Sequence, residues 1–337
     1  MPNPDRIALA LAEGRLTPPD AGTVIVLNAR PAEFLEMIPG DRLLCEQSFR
    51  PLHDALAAQG HAVVREAAGP ATAAIINLTR SRAGNLGAVA RALGMLEPGG
   101  ILAVNGAKTD GVDSVARAVR EQMPIEDALV KGHGRVFWLT RPPVLPEATG
   151  AWADAAAPRR NAEGFTTAAG LFSPDHPDPG SVRLAGLLPG RLKGRVAELG
   201  AGWGWLAQAA LTACPAIESI DLYEAEARAL DAARVNVPDP RAAFHWTDAT
   251  TLSRPNAPYD AVLSNPPFHG GRAADPDLGR AFIRAAARIL KPAGTLLIVA
   301  NRQLPYEATI GEVFAVSERL WQDRSYKVLS ASRPRRG

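Results

Sequence analysis

The segment Asp260-Ala261-Val262-Leu263-Ser264-Asn265-Pro266-Pro267-Phe268 joins an apolar run to an amide, two prolines and an aromatic ring. Ala261 to Leu263 reads as a short buried strand, which the prolines end abruptly. A loop of this composition can grip a flat group bearing an exocyclic NH2. The Asn265 side-chain oxygen and the Pro266 carbonyl each accept one N–H, and their lone pairs would aim the nitrogen at an electrophile. Pro267 stiffens the loop, and Phe268 can lie against the ring face. Asn265, Pro266, Pro267 and Phe268 are therefore candidate catalytic residues. A Pro-Pro turn closing a core strand is the plainer reading of the same residues.

A second constellation precedes it. Glu198-Leu199-Gly200-Ala201-Gly202-Trp203-Gly204 follows an apolar stretch and opens a helix-like one. Its glycines let the backbone turn tightly and approach a ligand closely. A dinucleotide loop needs G-x-G-x-x-G, and counting from Gly200 the sixth position is Trp205. No Gly-Lys-Ser/Thr phosphate loop is present either. G-x-G-x-G with an acid two residues before it fits S-adenosylmethionine, whose amino-acid end can meet Glu198 and the amides around Ala201. Glu224 ends the next strand and can bind both ribose hydroxyls. Asp221 is its rival, less suited because it lies inside an alternating strand. Asp248 follows a further strand and can accept the adenine amino group, or simply cap a helix. Glu198, Glu224, Asp248 and Asn265 thus stand at four successive strand ends. In an open α/β sheet such ends converge on one crevice.

The elements that must position these residues alternate along the chain. Strands are expected at Val24–Leu27, Leu43–Phe49, His61–Arg65, Ala73–Leu78 and Ile101–Val104, with helices at Pro51–Gln59, Asn85–Leu96 and Asp113–Gln122. A short helix and turn fill residues 1–20. A Pro/Ala/Gly-rich stretch follows, in which Pro142-Pro143, Pro146 and Ala151–Arg160 read as a linker. A helix near Ser181–Leu188 would be capped by Ser181 or Asp178. Strands then recur at Val196–Leu199, Ser219–Tyr223, Ala243–Thr247, Asp260–Leu263, Thr295–Ala300, Val313–Leu320 and Ser325–Ser330. Helices are expected at Trp205–Ala213, Ala225–Asn236 and Leu278–Leu290. Alternation of this kind implies parallel sheets covered on both faces.

An internal repeat runs through it. Ile76-Asn77, a helix and Leu96-Glu-Pro-Gly-Gly-Ile-Leu102 match Ser264-Asn265, a helix and Leu290-Lys-Pro-Ala-Gly-Thr-Leu296. The first copy has Asn77-Leu-Thr-Arg80 where the second has Asn265–Phe268, and its first strand leads into no glycine-rich loop. We expect two tandem doubly wound Rossmann-like α/β domains, the N-terminal one degenerate: 1–145, a linker at 146–165, and a catalytic 166–337.

Composition bounds the rest. The chain has 337 residues, 47% of them hydrophobic, enough for two full cores. No apolar run approaches the roughly 20 residues of a membrane helix, and the first residues lack a secretory pattern. Cys45 and Cys214 form neither a disulfide framework nor a metal pattern. A net charge of +2 does not by itself identify a nucleic-acid binder. A cytoplasmic, monomeric protein without metal is expected.

Glu198–Gly204, Glu224, Asp248 and Asn265–Phe268 resemble class I S-adenosylmethionine methyltransferases. His269 after that motif, Phe172-Ser173 with Asp178-Pro-Gly-Ser181, and Val299-Ala-Asn-Arg302 with Leu304-Pro-Tyr306 narrow the resemblance. Together with the degenerate first copy they resemble the RsmC-type ribosomal RNA small-subunit guanine-N2 methyltransferases, built on the "methyltransferase small" domain. The Asn-Pro-Pro-Phe motif alone is shared with adenine-N6 and protein-glutamine methyltransferases. Glu198 and Ala201 stand where Asp and Cys are frequent in such loops, keeping charge and small size. The resemblance implies S-adenosylmethionine as cofactor, with Phe172 and Asn265 beside it, and ribosomal RNA or the small subunit as partner. It implies that a flipped guanine stacks on Phe268. It leaves His269 either accepting a proton, touching a phosphate, or holding the loop. Arg80 and Arg82, in the vestigial loop of the first copy, would meet RNA phosphates or simply be solvated.

Overall fold

The structure is a computed structural model and describes residues 5–267 and 276–335. The chain divides into two compact units, Met1–Pro158 with Ala168–Gly170, and Arg159–Thr167 with Leu171–Gly337.

In the first unit α1 (Arg6–Ala12) leads to β1 (Val24–Leu27), β2 (Leu43–Glu46), α2 (Arg50–Ala58), β3 (Val63–Val64) and β4 (Ala71–Asn77). Then come α3 (Arg82–Met95), β5 (Leu96–Ala107), α4 (Val112–Arg120), β6 (Asp127–Lys131), β7 (Gly134–Thr140) and α5 (Glu147–Ala156). The sheet order is β3-β2-β1-β4-β5-β7-β6. The first five strands are parallel and the β7–β6 hairpin is antiparallel. Every residue of β1 is buried, as a strand covered on both faces requires. Its alternate side chains feed two cores, Ile25 and Leu27 on one face and Val24 and Val26 on the other.

The second unit opens with a small hairpin, β8 (Arg159–Arg160) and β9 (Thr166–Thr167). It continues with α6 (Pro179–Ala185), β10 (Gly194–Leu199), α7 (Trp205–Ala213), β11 (Ile217–Glu224), α8 (Ala227–Asn236), β12 (Ala242–Trp246) and β13 (Tyr259–Ser264). α9 (Pro276–Ile289), β14 (Leu290–Asn301), α10 (Tyr306–Val313), β15 (Phe314–Gln322) and β16 (Tyr326–Pro334) complete it. The sheet order, β12-β11-β10-β13-β14-β16-β15, repeats that of the first unit strand for strand. One core packs Val196, Leu206 and Ile220, the other Leu199, Val262 and Ile283.

Both sheets break register at the same place, between Ala71 and Ala73 and between Tyr259 and Ala261. Anchored there, Ala73 corresponds to Ala261 and Asn77 to Asn265. The repeat seen in the sequence is thus a repeat of structure.

Three differences from the sequence expectation have local causes. The segment read as a linker at 146–165 is partly α5, which packs Trp152 onto the first core. Gly87 of α3 makes this possible, since a Cβ there would lie 2.1 Å from the Ala156 side chain. The β6–β7 hairpin and α10 were not expected: the apolar run Ala128–Val130 of β6 is only three residues long, and Tyr306–Val313 intersperses its apolar residues with Glu307, Thr309, Gly311 and Glu312. The strand expected at Leu43–Phe49 stops at Glu46, where the chain turns into α2.

Candidate active site

β10 delivers Glu198 and then a backbone that only glycine adopts easily. Gly200, Gly202 and Gly204 have φ of 75°, 56° and 87°. The Gly200 and Ala201 amides donate to the Tyr223 carbonyl, at 2.9 and 3.1 Å, tying the loop to β11. Gly204 caps α7, and a Cβ there would come within 2.8 Å of Val237. Glu198 is 2% exposed, and among the described residues its Oε2 has no hydrogen-bond partner. Burial, reinforced by the neighbouring Glu224, holds its carboxyl well above the usual range, opposed by the Ala207 backbone N–H. A buried acid with an unsatisfied oxygen is costly alone and suits a cationic amine.

Glu224 closes the other side of the loop. Its Oε2 accepts the Gly202 N–H at 2.8 Å and its Oε1 accepts the Glu226 N–H at 2.7 Å. Burial raises its carboxyl too, against these backbone bonds. Its rival Asp221 is committed elsewhere, accepting from His245 Nε2 at 2.7 Å and the Tyr259 hydroxyl at 2.8 Å.

β13 delivers Asn265, and β10 supports its base: the Ser264 hydroxyl donates to the Leu199 carbonyl at 2.8 Å. The Asn265 Nδ2 donates to Asp178 Oδ2 at 2.8 Å and to Ser181 Oγ at 2.9 Å. Pro266 is buried and Pro267 exposed. Phe172, Ser173, Asp178, Ser181, Glu198, Gly200, Ala201, Gly202, Trp203, Trp205, Leu206 and Asn265 line one cleft. Phe172 is 56% exposed there, while its carbonyl accepts the Trp203 indole N–H at 2.9 Å.

Of the residues singled out in the sequence, Glu198, Gly200, Ala201, Gly202, Phe172 and Asn265 therefore share a cleft, and Glu224 joins it through the Gly202 amide. Asp248 spends its Oδ1 capping Thr250, with the backbone N–H at 2.8 Å and the hydroxyl at 2.7 Å. Phe268 and His269 lie outside the described residues. Arg80 and Arg82 belong to the first unit, both exposed, and Arg82 Nε donates to Ser114 Oγ at 2.9 Å. Sequence reasoning gave Asp178 and Ser181 a cap and a place in the family resemblance, but not their support of Asn265. The orphaned Glu198 oxygen and the glycine-lined approach fit the expected S-adenosylmethionine. Among the described residues no His, Cys, Asp and Glu cluster could hold a metal ion, and no helix is long and apolar enough to cross a membrane.

The fold and this cleft define a Rossmann-type methyltransferase, and residues 163–330 match the methyltransferase small domain family. The ribosomal RNA small subunit methyltransferase C of Klebsiella pneumoniae is 32% identical over 241 residues, 70% of this chain and 68% of that one. Its counterpart in Shewanella denitrificans is 35% identical over 145 residues, 43% of this chain and 41% of that one. The solved T. thermophilus 16S rRNA N2 G1207 methyltransferase (RsmC), in complex with AdoMet and guanosine, shares the fold. It superposes with a TM-score of 0.75 at 23% identity, over 94% of this chain and 90% of that one. The chain belongs to the ribosomal RNA small subunit methyltransferase C family.

Proposed function

We propose that the chain transfers a methyl group from S-adenosylmethionine to the exocyclic N2 amine of a guanine in small-subunit ribosomal RNA. The observation that carries this reading is Asn265. It stands at the end of β13 beside the Glu198–Gly204 loop, with both amide hydrogens engaged by protein groups. What it offers a ligand is an acceptor, and an exocyclic NH2 needs acceptors. Family membership names the nucleic-acid substrate.

S-adenosylmethionine, when bound, supplies an electrophilic methyl. Glu198 would hold its ammonium group, Glu224 its ribose hydroxyls, and Phe172 would cover the cleft mouth. Asp248 has one carboxylate oxygen committed to its cap, leaving the other for the adenine amine. Asn265 Oδ1 and the Pro266 carbonyl accept the two N2 protons and turn the nitrogen lone pair toward the methyl. Transfer would give N2 a bond to the methyl carbon in place of that carbon's bond to sulfur, and the amine would lose one proton, to water or to His269. No strong base is needed, so most of the acceleration comes from alignment, which can reach roughly 7–11 kcal/mol. Phe268 would stack on the flipped base, and His269 would hold the loop, touch a phosphate or receive the proton. The first unit, with Arg80 and Arg82, would position the RNA as part of a cytoplasmic monomer.

The test is methyl-labelled S-adenosylmethionine with ribosomal subunits from cells lacking the enzyme, followed by nucleoside analysis. Label in small-subunit N2-methylguanosine is the expected result. Label in N6-methyladenosine or in protein glutamine would reassign the NH2 substrate. No label, with the cofactor bound, would overturn the substrate class.

A further inference from the structure

An asparagine offers its substrate either an oxygen or an NH2, depending on how the amide is turned. The two orientations have nearly the same shape, so neighbouring groups decide between them. At Asn265 that decision has a visible source. Asp178 Oδ2 lies 2.8 Å from Nδ2, and an ionised carboxylate can only accept. Turning the amide over would set Oδ1 against Asp178, two acceptors face to face. The Ser181 hydroxyl, at 2.9 Å, takes the second hydrogen. Both N–H groups are then used, and among the described residues nothing donates to Oδ1.

Asp178 is itself held in place. The same Oδ2 caps α6 by accepting the Ser181 N–H at 3.0 Å. Gly180 leaves room for it: a Cβ there would lie 2.9 Å from Asp178 Oδ2 and 3.0 Å from the Tyr326 ring. The Asp178 charge also adds to the burial that raises the Tyr326 hydroxyl. The cap of one helix and the orientation of a site amide in a distant part of the sequence therefore share one oxygen.

We infer that Asp178, assisted by Ser181, is a positioning residue that fixes Asn265 with its oxygen toward the substrate amine. This role rests on the methyl-transfer reading above. It explains why Asn-Pro-Pro-Phe needs the distant Asp-Pro-Gly-Ser turn, and it separates Asp178 from a plain helix cap.

The separation is testable, because serine caps a helix about as well as aspartate. Asp178→Ser keeps the cap, but its shorter side chain cannot also reach Asn265. Asp178→Asn keeps an oxygen able to accept both N–H groups. Each is measured for kcat and KM on small-subunit RNA, for cofactor affinity, and for melting temperature, in the parent and in an Asn265→Ala background. Asp178→Ser is expected to lower kcat by about 100-fold, with cofactor affinity and melting temperature held. Asp178→Asn should recover at least ten-fold of that loss, and neither change should matter once Asn265 is alanine. Full activity of Asp178→Ser overturns the role. So does a loss of cofactor affinity with kcat kept, and so does an undiminished effect in the Asn265→Ala background. An inert parent protein overturns the substrate reading and this role with it, whereas an active parent with active variants overturns the role alone.

Discussion

At matched positions of β1 and β10 the first unit carries Val26 and the second Glu198, since Val24 pairs with Ala73 as Val196 pairs with Ala261. Val26 is fully buried in an apolar core, whereas Glu198 has an oxygen with no partner among the described residues, beside the cleft. Two residues on, Asn28 keeps the left-handed turn of Gly200, with φ of 51° against 75°. Gln47 stands where Glu224 does, and the difference is one of sign. Its Oε1 accepts the Phe49 N–H at 2.8 Å, as Glu224 accepts from Glu226. Its Nε2, however, donates to the Ala29 carbonyl where Glu224 accepts from the Gly202 amide. Asn77 completes the set. Its Oδ1 accepts from Asn105 Nδ2 at 2.9 Å, and Asn105 Oδ1 in turn accepts from the buried Arg6 at 2.9 Å. In the second unit, among the described residues, nothing donates to the matching oxygen of Asn265. The same backbone frame therefore holds a closed polar chain in one copy and an open site in the other. Val26, Asn28 and Gln47 replace Glu198, Gly200 and Glu224, while the shared asparagine differs only in what engages it.

Substitutions at matched positions should behave as opposites. The largest effect is expected at Asn265. Replacing it by alanine should lower methyl transfer by about 10²–10³-fold, the usual loss when one preorganised hydrogen-bonding group is removed, with cofactor affinity kept. Asn77→Ala should leave transfer within about two-fold but destabilise the chain by roughly 1–3 kcal/mol, because Asn105 and the Asn28 carbonyl lose their buried partner. Denaturant unfolding and the RNA assay check both. Glu198→Val, which copies the first unit, should weaken S-adenosylmethionine binding by about 30-fold or more, as for truncating one half of a buried charge pair. Glu224→Gln copies Gln47 and should weaken the cofactor by about ten-fold, since a charged acceptor is worth about 1.5–3 kcal/mol.

The smallest effect concerns pH. The Glu198 carboxyl is raised above its ordinary 4.5 in the folded protein. The folded state then binds more protons than the unfolded one, so this group's contribution is present at low pH and fades as pH rises through that window. In cofactor-free protein, Glu198→Gln should therefore melt progressively higher than the parent as the pH rises above the ordinary 4.5 of the carboxyl. Parallel melting curves at all pH values would contradict the burial argument.

Much of this comparison was legible in the sequence. The apolar runs, the glycine spacing and the Leu-x-Pro-x-Gly repeat give the duplicated sheet, because buried parallel strands and tight turns are strongly constrained locally. The strand-end acids could be ranked for the same reason, and Glu224 over Asp221 follows from position along β11. What could not be read was which side-chain atoms are already engaged. That Arg6 reaches Asn105 and that Asp178 holds Asn265 each depend on pairs far apart in the chain, whereas the local Asp248 cap was open to the sequence. The Ala-rich α5 was missed because its helix rests on packing against α3 through Gly87, which composition alone does not display.

The claim that only the second copy kept a site is tested most directly by titrating the purified full chain with S-adenosylmethionine in a calorimeter. One equivalent per chain, its affinity lowered by about 30-fold or more in Glu198→Val and unchanged in Asn77→Ala, is the predicted result. Two equivalents, or one whose affinity Glu198→Val leaves unchanged, would place a cofactor in the first unit and contradict the account.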